Sequence, residues 1–423
     1  MTASLLRFDS SNWPPREGGK RLTGKYLQLL EAFARSLVMD ADSFLVNATP
    51  EYNALTEALA KVFWEHLTPE NIQTIIFRQC MYFEVENAGR VGSLSAPENK
   101  DLLDELVTRL KSFFESIPRE CTLRIELPSM HIPTGSIRLS DDVSLVGSVS
   151  QTVSNMLASN PASATYLEVL VEGYGDTSAE SPAASAALSI AKQFAFVAQV
   201  FGVVKTNYMA TPGASLFRDS AYSDFAQMTI PEGARKCFSR LKVNPEKLVM
   251  YDWLLEGTTP RSLLSYGAPP RSPEGEKEIQ LALNHLLTDV RRFFSARSNE
   301  DFEPIAAAIE WYQDSMFADN DTFAYIAACI GLEAVLGSAD EQLDSLSKRL
   351  ADRYAFLMGK GRKEREALRK DYGDVLKLRG RLVHGKAARI NSKERPLLGK
   401  VQDLLLQLLW KEILRILPAK LSI

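Results

Sequence analysis

The stretch REALRKDYGDVLKLRGRLVHG, residues 365–385, decides how the C-terminal part of the chain is interpreted. Its apolar residues recur at spacings of three and four, which is typical of an amphipathic helix. On such a helix four apolar residues fall on one arc: Val375, Leu378, Leu382 and Val383. Gly385 follows His384 and is expected to end the helix. The stretch therefore predicts one long helix with an apolar side that packs against other elements.

Segments on either side of this stretch have the same periodicity. They cover residues 276–296, 301–317, 321–337, 341–359 and 395–417. Short polar breaks separate them, and the alternation typical of strands is nearly absent beyond residue 276. We therefore predict an all-α helical-bundle domain over residues 276–423. Four leucines of the last segment are expected to pack in the core, with a dimer seam as the alternative: Leu404, Leu405, Leu408 and Leu409.

The N-terminal half has a mixed pattern. Period-two alternation predicts strands in residues 121–130, 135–147 and 164–175. Helical periodicity is present in residues 22–39, 49–67, 95–117 and 181–202, whereas residues 71–89 are ambiguous, with a strand suggested at their end. We predict a mixed α+β region over residues 1–255, followed by a linker at 256–275 where Gly, Pro and Ser cluster.

Length and composition limit the possible classes of protein. A chain of 423 residues exceeds what one hydrophobic core usually holds, so two domains are expected. The fractions of hydrophobic (45%) and charged (24%) residues are typical of a soluble globular protein. The formal net charge of −4 disfavours a protein whose whole surface coats nucleic acid. Because no signal peptide and no long apolar run are evident, we expect a cytoplasmic protein without a membrane segment.

The four cysteines are far apart and form no CxxC pair: Cys80, Cys121, Cys237 and Cys329. This spacing favours neither a zinc site nor a disulfide framework. We therefore expect reduced, buried thiols, and we expect neither a metal nor a cofactor.

Positive charge is concentrated near the C-terminus. Residues 360–395 contain 13 Lys and Arg against 5 Asp and Glu, so the rest of the chain has a surplus of twelve negative charges. A positive stripe on an acidic protein is a reasonable landing site for a polyanion such as RNA. A solvated helical face with incidental charge is the alternative.

His384 lies inside this basic stretch, with Lys377, Arg381 and Lys386 nearby. Positive neighbours disfavour a charged imidazole, an arrangement that suits the arrival of an anion. Arg379 instead falls on the apolar arc of the helix, where an unpaired charge is costly. We predict that Glu333, on another apolar helix, pairs with Arg379.

The run Arg379-Gly-Arg-Leu-Val-His384-Gly385 resembles the R-x4-H signature of HEPN domains, in particular the Apea-like branch, whose motif has a tyrosine and then Arg-Ser-x-x-Val-His-Gly. Tyr372 and the upstream segment IGLEAVLG, residues 330–337, fit that branch as well. The resemblance covers roughly residues 276–418. One departure is Gly380, which stands where the family has a small polar residue.

The resemblance implies a metal-independent endoribonuclease that acts in phage defence by abortive infection. Arg379 and His384 would be the catalytic pair, in a composite site formed by a homodimer. Glu333, Gly380 and Tyr372 would support the site. RNA, such as tRNA, would be guided by Lys377, Arg381 and Lys386, and the N-terminal region would respond to a phage-derived or regulatory activator.

From the residues alone, interpretations without a catalytic role stay open. Arg379 and Glu333 could be a purely structural pair, and His384 could be a cation that favours the helix C-terminus. Lys377, Arg381 and Lys386 could be solvated surface charges. A non-catalytic HEPN-fold module that binds nucleotide or protein is the alternative function, and Gly380 is the feature that favours it.

Overall fold

The computed structural model describes residues 20–39, 49–87, 89–127, 132, 135–149, 163–174, 181–201, 203–206, 225–229, 237–240, 248–250, 281, 283–318, 320–337 and 346–417. The predicted linker at 256–275 lies outside these residues. Two compact units divide the chain. The first comprises Met1–Ser136, Asp142–Leu188 and Met209–Glu246, and the second Ile137–Asp141, Ser189–Tyr208 and Lys247–Ile423. The second unit thus takes in two segments from the N-terminal half of the sequence.

The first unit begins with helices, which are α1 (Lys25–Ser36), α2 (Pro50–Phe63), α3 (Pro69–Glu86) and α4 (Lys100–Glu115). Thr49 caps α2 by accepting the Tyr52 N–H at 3.1 Å, and Thr68 and Asn71 form a capping box at the start of α3. A short 3-10 helix, Pro97–Asn99, precedes α4. The helices bury apolar residues of their facing sides, such as Phe33, Leu59 and Phe83, in one core cluster.

Helix α3 corrects the expectation of a strand at the end of residues 71–89. Its buried residues continue at spacings of three and four as far as Phe83, and Val85 faces solvent. The apolar residues that alternate in the sequence therefore lie on different faces of one helix, and they do not form a pleated strand.

A six-stranded sheet follows the helices. Its strands are β3 (Arg119–Glu126), β4 (Gly135–Arg138), β5 (Val143–Val149), β6 (Ser163–Gly173), β8 (Phe225–Thr229) and β9 (Cys237–Arg240), in the spatial order β4-β5-β6-β3-β8-β9. The predicted strands are confirmed, whereas β8 and β9 were not predicted. Leu123 lies opposite Val169, and Leu145 opposite Leu167, so one face of the sheet is apolar.

Two further pairs of strands are antiparallel. They are β1 (Val38–Met39) with β2 (Gly92–Ser93), and β7 (Val204–Thr206) with β10 (Leu248–Met250). Helix α5 (Pro182–Val200) is confirmed where helical periodicity predicted it, and its second half belongs to the second unit. There Phe196 packs edge-on against Tyr312.

The second unit is built mainly from helices, as the sequence predicts. They are α6 (Thr288–Ser295), α7 (Phe302–Phe317), α8 (Asp321–Leu336), α9 (Leu346–Met358), α10 (Arg362–Val383) and α11 (Arg395–Ile416), with a 3-10 helix at Ala296–Ser298. Each of the predicted helical segments coincides with one of these helices, and α10 begins three residues before its predicted segment. The helical C-terminal region is therefore confirmed.

Three contacts fix α8, which carries the predicted partner of Arg379. The Tyr325 hydroxyl donates to the Val375 carbonyl of α10 at 2.8 Å. Gly331 lets α11 approach closely, because a Cβ at this position would lie 2.6 Å from Leu405 Cδ2. Asn320 caps the start of α8 by accepting the Thr322 and Phe323 N–H groups. The four leucines of α11 are buried within the chain, so the expected core packing is confirmed and they form no exposed seam.

Candidate functional site

Arg379 and Glu333 form the ion pair that the sequence predicts. Arg379 Nη2 lies 3.2 Å from Glu333 Oε2 and joins the last turns of α10 to the end of α8. The side chains are 32% and 26% exposed, so the pair lies at the surface of the core and solvent reaches it. Arg379 Nε has no hydrogen-bond partner among the described residues. Nε is also buried, so among the described residues the guanidinium is held by the bond to Glu333 and only its Nη groups have donors left for another group.

A buried polar cluster lies beneath this pair. Tyr372, on α10, is fully buried, and its ring centre lies 5.4 Å from that of Tyr354 on α9. Burial raises the pKa of Tyr372, and the nearby Cys329 and Glu333 raise it further. Neither tyrosine hydroxyl has a hydrogen-bond partner within the described part of the chain. Tyr372 therefore packs under Arg379 as a neutral phenol.

His384 is the residue that caps the end of α10. Its amide N–H donates to the Gly380 carbonyl at 3.1 Å, and its side chain lies at the exposed surface. Gly385 follows with a φ of 68°, a conformation that favours glycine, and the next amide, that of Lys386, closes on the Arg381 carbonyl at 2.8 Å. The predicted end of the helix at Gly385 is confirmed, and it leaves the imidazole open to solvent.

Gly380 lies one turn before His384 on the same helix. A Cβ built at this position meets nothing within 4 Å. A small polar residue, as in the HEPN motif that this stretch resembles, would therefore fit at position 380.

The basic residues around the site differ in how they are compensated. Lys377 pairs with Asp374 at 3.0 Å, and Arg381 with Glu394 at 2.6 Å. Six exposed residues of this stretch have no ion pair with any described carboxylate: Lys360, Lys363, Lys370, Lys386, Arg389 and Lys393. Of the predicted RNA-binding residues, Lys386 is thus a free cation, whereas Arg381 is already bound to an acid.

Half-exposed apolar side chains lie on the two helices that carry the ion pair. Ile330 lies three residues before Glu333 on α8, and Val383 lies one turn after Arg379 on α10, whereas Phe323 lies about 15 Å from Glu333 along α8. Phe323 and Val383 are each about half exposed, at 51% and 48%. Val383 was expected on one apolar arc with Val375, Leu378 and Leu382. Those three residues are buried, whereas Val383 faces solvent.

The structure brings together Glu333, Arg379 and Tyr372, and it places His384 one turn beyond Arg379. Sequence reasoning missed Cys329 and Tyr354 as members of the same cluster. For Cys329 a signal was present, because it lies four residues before Glu333 and thus on the same helix face. Burial raises the pKa of the Cys329 thiol, and the Glu333 charge raises it further, so this thiol stays protonated.

Within the described part of the chain, no group of three or more His, Cys, Asp or Glu side chains is arranged to hold a metal ion. None of the helices described is long and apolar enough to cross a membrane.

Comparison with protein-family models, curated proteins and solved structures finds no match to this chain. A functional assignment therefore depends on the motif around Arg379 and His384 and on the geometry described above.

Proposed function

We propose that this chain is a metal-independent endoribonuclease of the HEPN class, with its C-terminal helices arranged as a bundle and its site completed by a second copy. One observation carries the proposal. Arg379 is held by Glu333 through a single bond, keeps about a third of its side chain in solvent, and lies near the helix end that presents His384. A fixed guanidinium with spare donors suits a phosphate, and an exposed imidazole suits proton transfer.

The reaction needs only groups of the RNA and of the protein. The neutral imidazole of His384 accepts the proton of a ribose 2′-OH while that oxygen attacks the adjacent phosphorus. Arg379 stabilises the additional negative charge on the phosphate oxygens. The bond from phosphorus to the 5′ oxygen breaks, and the leaving oxygen takes a proton from a second imidazolium. The products are a 2′,3′-cyclic phosphate and a 5′-hydroxyl.

Two copies solve a geometric difficulty. Arg379 and His384 are five residues apart, which separates them by about 7.5 Å along a helix and about 140° around it. One chain also offers a single histidine here, whereas the reaction uses a base and an acid. We assign the contact with the second copy to Ile330 and Val383, because these apolar side chains lie within about one turn of the ion pair and such side chains suit an interface.

The free cations suit an RNA ligand. Lys386, Arg389 and Lys393 follow His384 along the chain and have no described acidic partner. Each phosphate contact of this kind adds affinity that falls as salt rises. Lys377 and Arg381 would contribute only if RNA displaces Asp374 and Glu394.

The cellular role follows from the resemblance and is part of the same proposal. The enzyme would be a cytoplasmic effector of abortive infection, held inactive until a phage-derived or regulatory activator engages the N-terminal region. Its RNA target would be tRNA or another accessible RNA.

The test is RNA cleavage in the presence of EDTA, with labelled tRNA and a longer RNA as substrates. We expect His384→Ala to lower the cleavage rate about 10²–10⁴-fold, the range for loss of a general acid or base. His285→Ala is the matched control, because His285 is also exposed and lies outside the site. Light scattering on the same samples measures whether the chain is a dimer.

The alternative is a non-catalytic binding module, which the glycine at position 380 favours. It predicts that wild type and His384→Ala leave both RNAs intact, with and without candidate activators. Equal cleavage by wild type and His384→Ala would also refute the proposed site.

A further inference from the structure

A cavity lies beside the first turns of α10. Its volume is about 680 Å³, and it is bounded by the end of α8, the end of α9 and the first turns of α10. Cavities of about 300–1,000 Å³ suit small organic ligands. The lining residues used below are Asp352, Arg353, Phe356, Arg365 and Arg369.

Two arginines of this cavity are anchored through Nε. Arg365 Nε donates to the Gly359 carbonyl at 3.0 Å, and Arg369 Nε pairs with the Asp352 carboxylate. They are four residues apart on α10 and therefore neighbours on one face. Because Nε fixes the plane of each guanidinium, the Nη groups remain for a bidentate contact, and none is bonded to a described residue.

Phe356 is an exposed aromatic ring within the same lining. It is 68% exposed, and the Arg365 guanidinium lies 4.8 Å from its ring centre. The guanidinium lies over one face of the ring, so the other face is the surface on which a flat ring stacks.

The charge of the lining favours an anion. Arg353, Arg365 and Arg369 are opposed by the single carboxylate of Asp352. Arg353 already uses one of its donors, because its Nη1 donates to the Leu336 carbonyl at the end of α8 at 2.6 Å. Arg365 and Arg369 are thus the groups available to a ligand.

We propose that this cavity binds a nucleotide, with its phosphate on Arg365 and Arg369 and its base on Phe356. Paired guanidinium forks match phosphate oxygens, and the ring next to them matches the base. The nucleotide is either free or part of an RNA chain. The two sites are neighbours at the end of α8, because Val335 lines the cavity and lies two residues after Glu333, whereas Arg369 precedes Arg379 by ten residues, about 15 Å along α10.

The experiment measures binding, not cleavage, and uses the full chain with the His384→Ala substitution. One arm titrates the four ribonucleoside monophosphates by calorimetry, with adenosine and inorganic phosphate as partial ligands. The other arm titrates a labelled oligoribonucleotide by fluorescence anisotropy. Phe356→Ala and the double variant Arg365→Gln/Arg369→Gln probe the two halves of the site.

We expect a monophosphate to bind more tightly than adenosine or phosphate alone. Phe356→Ala should weaken binding about 5- to 100-fold, the range for loss of one stacked base. Arg362→Gln is the control for charge, because it removes one positive charge from a side chain that is 92% exposed and outside the cavity. Its affinity should stay within about twofold of the parent's, since an exposed charge is well screened.

If the cavity variants bind the monophosphate more weakly than the parent does, with or without weaker binding of the oligoribonucleotide, the site is one for free nucleotide. If they bind only the oligoribonucleotide more weakly, the site is one for a nucleotide within RNA. The proposal is overturned if the parent protein binds neither probe, or if the cavity variants bind both as it does. Circular dichroism checks that each variant is folded. Because Phe356 is exposed, its replacement is expected to disturb folding less than the double arginine variant.

Discussion

Arg109 in the first unit and Arg379 in the second are both paired with a glutamate, and their surroundings differ. Arg109 is 7% exposed, its Nη2 bonds to the Glu86 carboxylate, and its guanidinium lies 5.8 Å from the ring centre of Phe83. Arg379 is 32% exposed, and among the described residues it bonds to Glu333 alone. The first guanidinium is enclosed by protein, whereas the second has solvent on one side.

Each arginine also lies near a buried thiol. Burial raises the pKa of Cys80 to about 12, and the Arg109 charge opposes this rise. Burial likewise raises the pKa of Cys329, and Glu333 adds to it. The two clusters are therefore chemically alike, and the exposure of the guanidinium is what separates a structural role from a role in binding.

The largest expected effect is the loss of RNA cleavage when the partly exposed Arg379 is replaced. Arg379→Met should lower the rate of RNA cleavage about 10²–10³-fold, as expected for a lost donor to the transition state. The free energy of unfolding should change by less than about 1 kcal/mol, because exposed ion pairs contribute little. Cleavage assays and urea denaturation measure the two quantities, with Arg362→Gln as the control.

The enclosed arginine should give the opposite result. Arg109→Met should lower the free energy of unfolding by about 1–3 kcal/mol, since it removes hydrogen bonds to a charged group. Cleavage per folded molecule should not change. The comparison fails if Arg379→Met shifts the urea midpoint more than Arg109→Met does.

The cluster under Arg379 gives a prediction that depends on pH. Tyr372→Phe removes a hydroxyl without a described partner, so at pH 7 the variant should be as stable as wild type or up to about 1 kcal/mol more stable. Because burial raises the pKa of Tyr372 in the folded state, wild type loses stability as the pH rises above the unfolded value of about 10. The variant should lose less over that range.

Tyr325→Phe is the matched control at pH 7. Its hydroxyl donates to the Val375 carbonyl, so its loss should cost about 1 kcal/mol. Urea denaturation at pH 7 and above pH 10 measures both variants. A Tyr372→Phe variant that is less stable than Tyr325→Phe at pH 7 would show that the Tyr372 hydroxyl has a partner.

The smallest expected effect concerns the glycine beside Arg379. Gly380→Ala should raise the free energy of unfolding by about 0.5–1 kcal/mol, because alanine favours a helix interior and the new Cβ meets nothing within 4 Å. Gly373→Ala on the same helix has equal space and should give the same gain. Thermal denaturation compares the stability of the two variants. A variant that is more stable at Gly373 but less stable at Gly380 would contradict the view that both positions have room for a Cβ.

Local patterns predicted much of the second unit. The helices around α10 follow from apolar spacing, and the Glu333 partner follows from the cost of placing Arg379 on an apolar arc. Gly385 was identified as the end of the helix because few other residues adopt its backbone conformation. These features depend on neighbours within a turn or two of sequence.

Other features depend on contacts between distant segments. Strands β8 and β9 are short, and their hydrogen bonds come from the pairing of β8 with β3 and of β9 with β8. Arg353, Phe356 and Arg365 come from two helices, so no spacing predicts that they line one cavity. Val383 has an apolar side chain on the solvent side, which periodicity alone cannot distinguish from a core position.

Gly331 has a consequence for how tolerant this protein is to mutation. Any side chain there would meet Leu405, the Ala308 carbonyl and Trp311, which belong to two other helices. Glu333 follows two residues later, so a bulkier residue would displace the carboxylate that holds Arg379. A screen for inactive mutants should therefore recover this glycine, although it touches neither substrate nor the reacting groups.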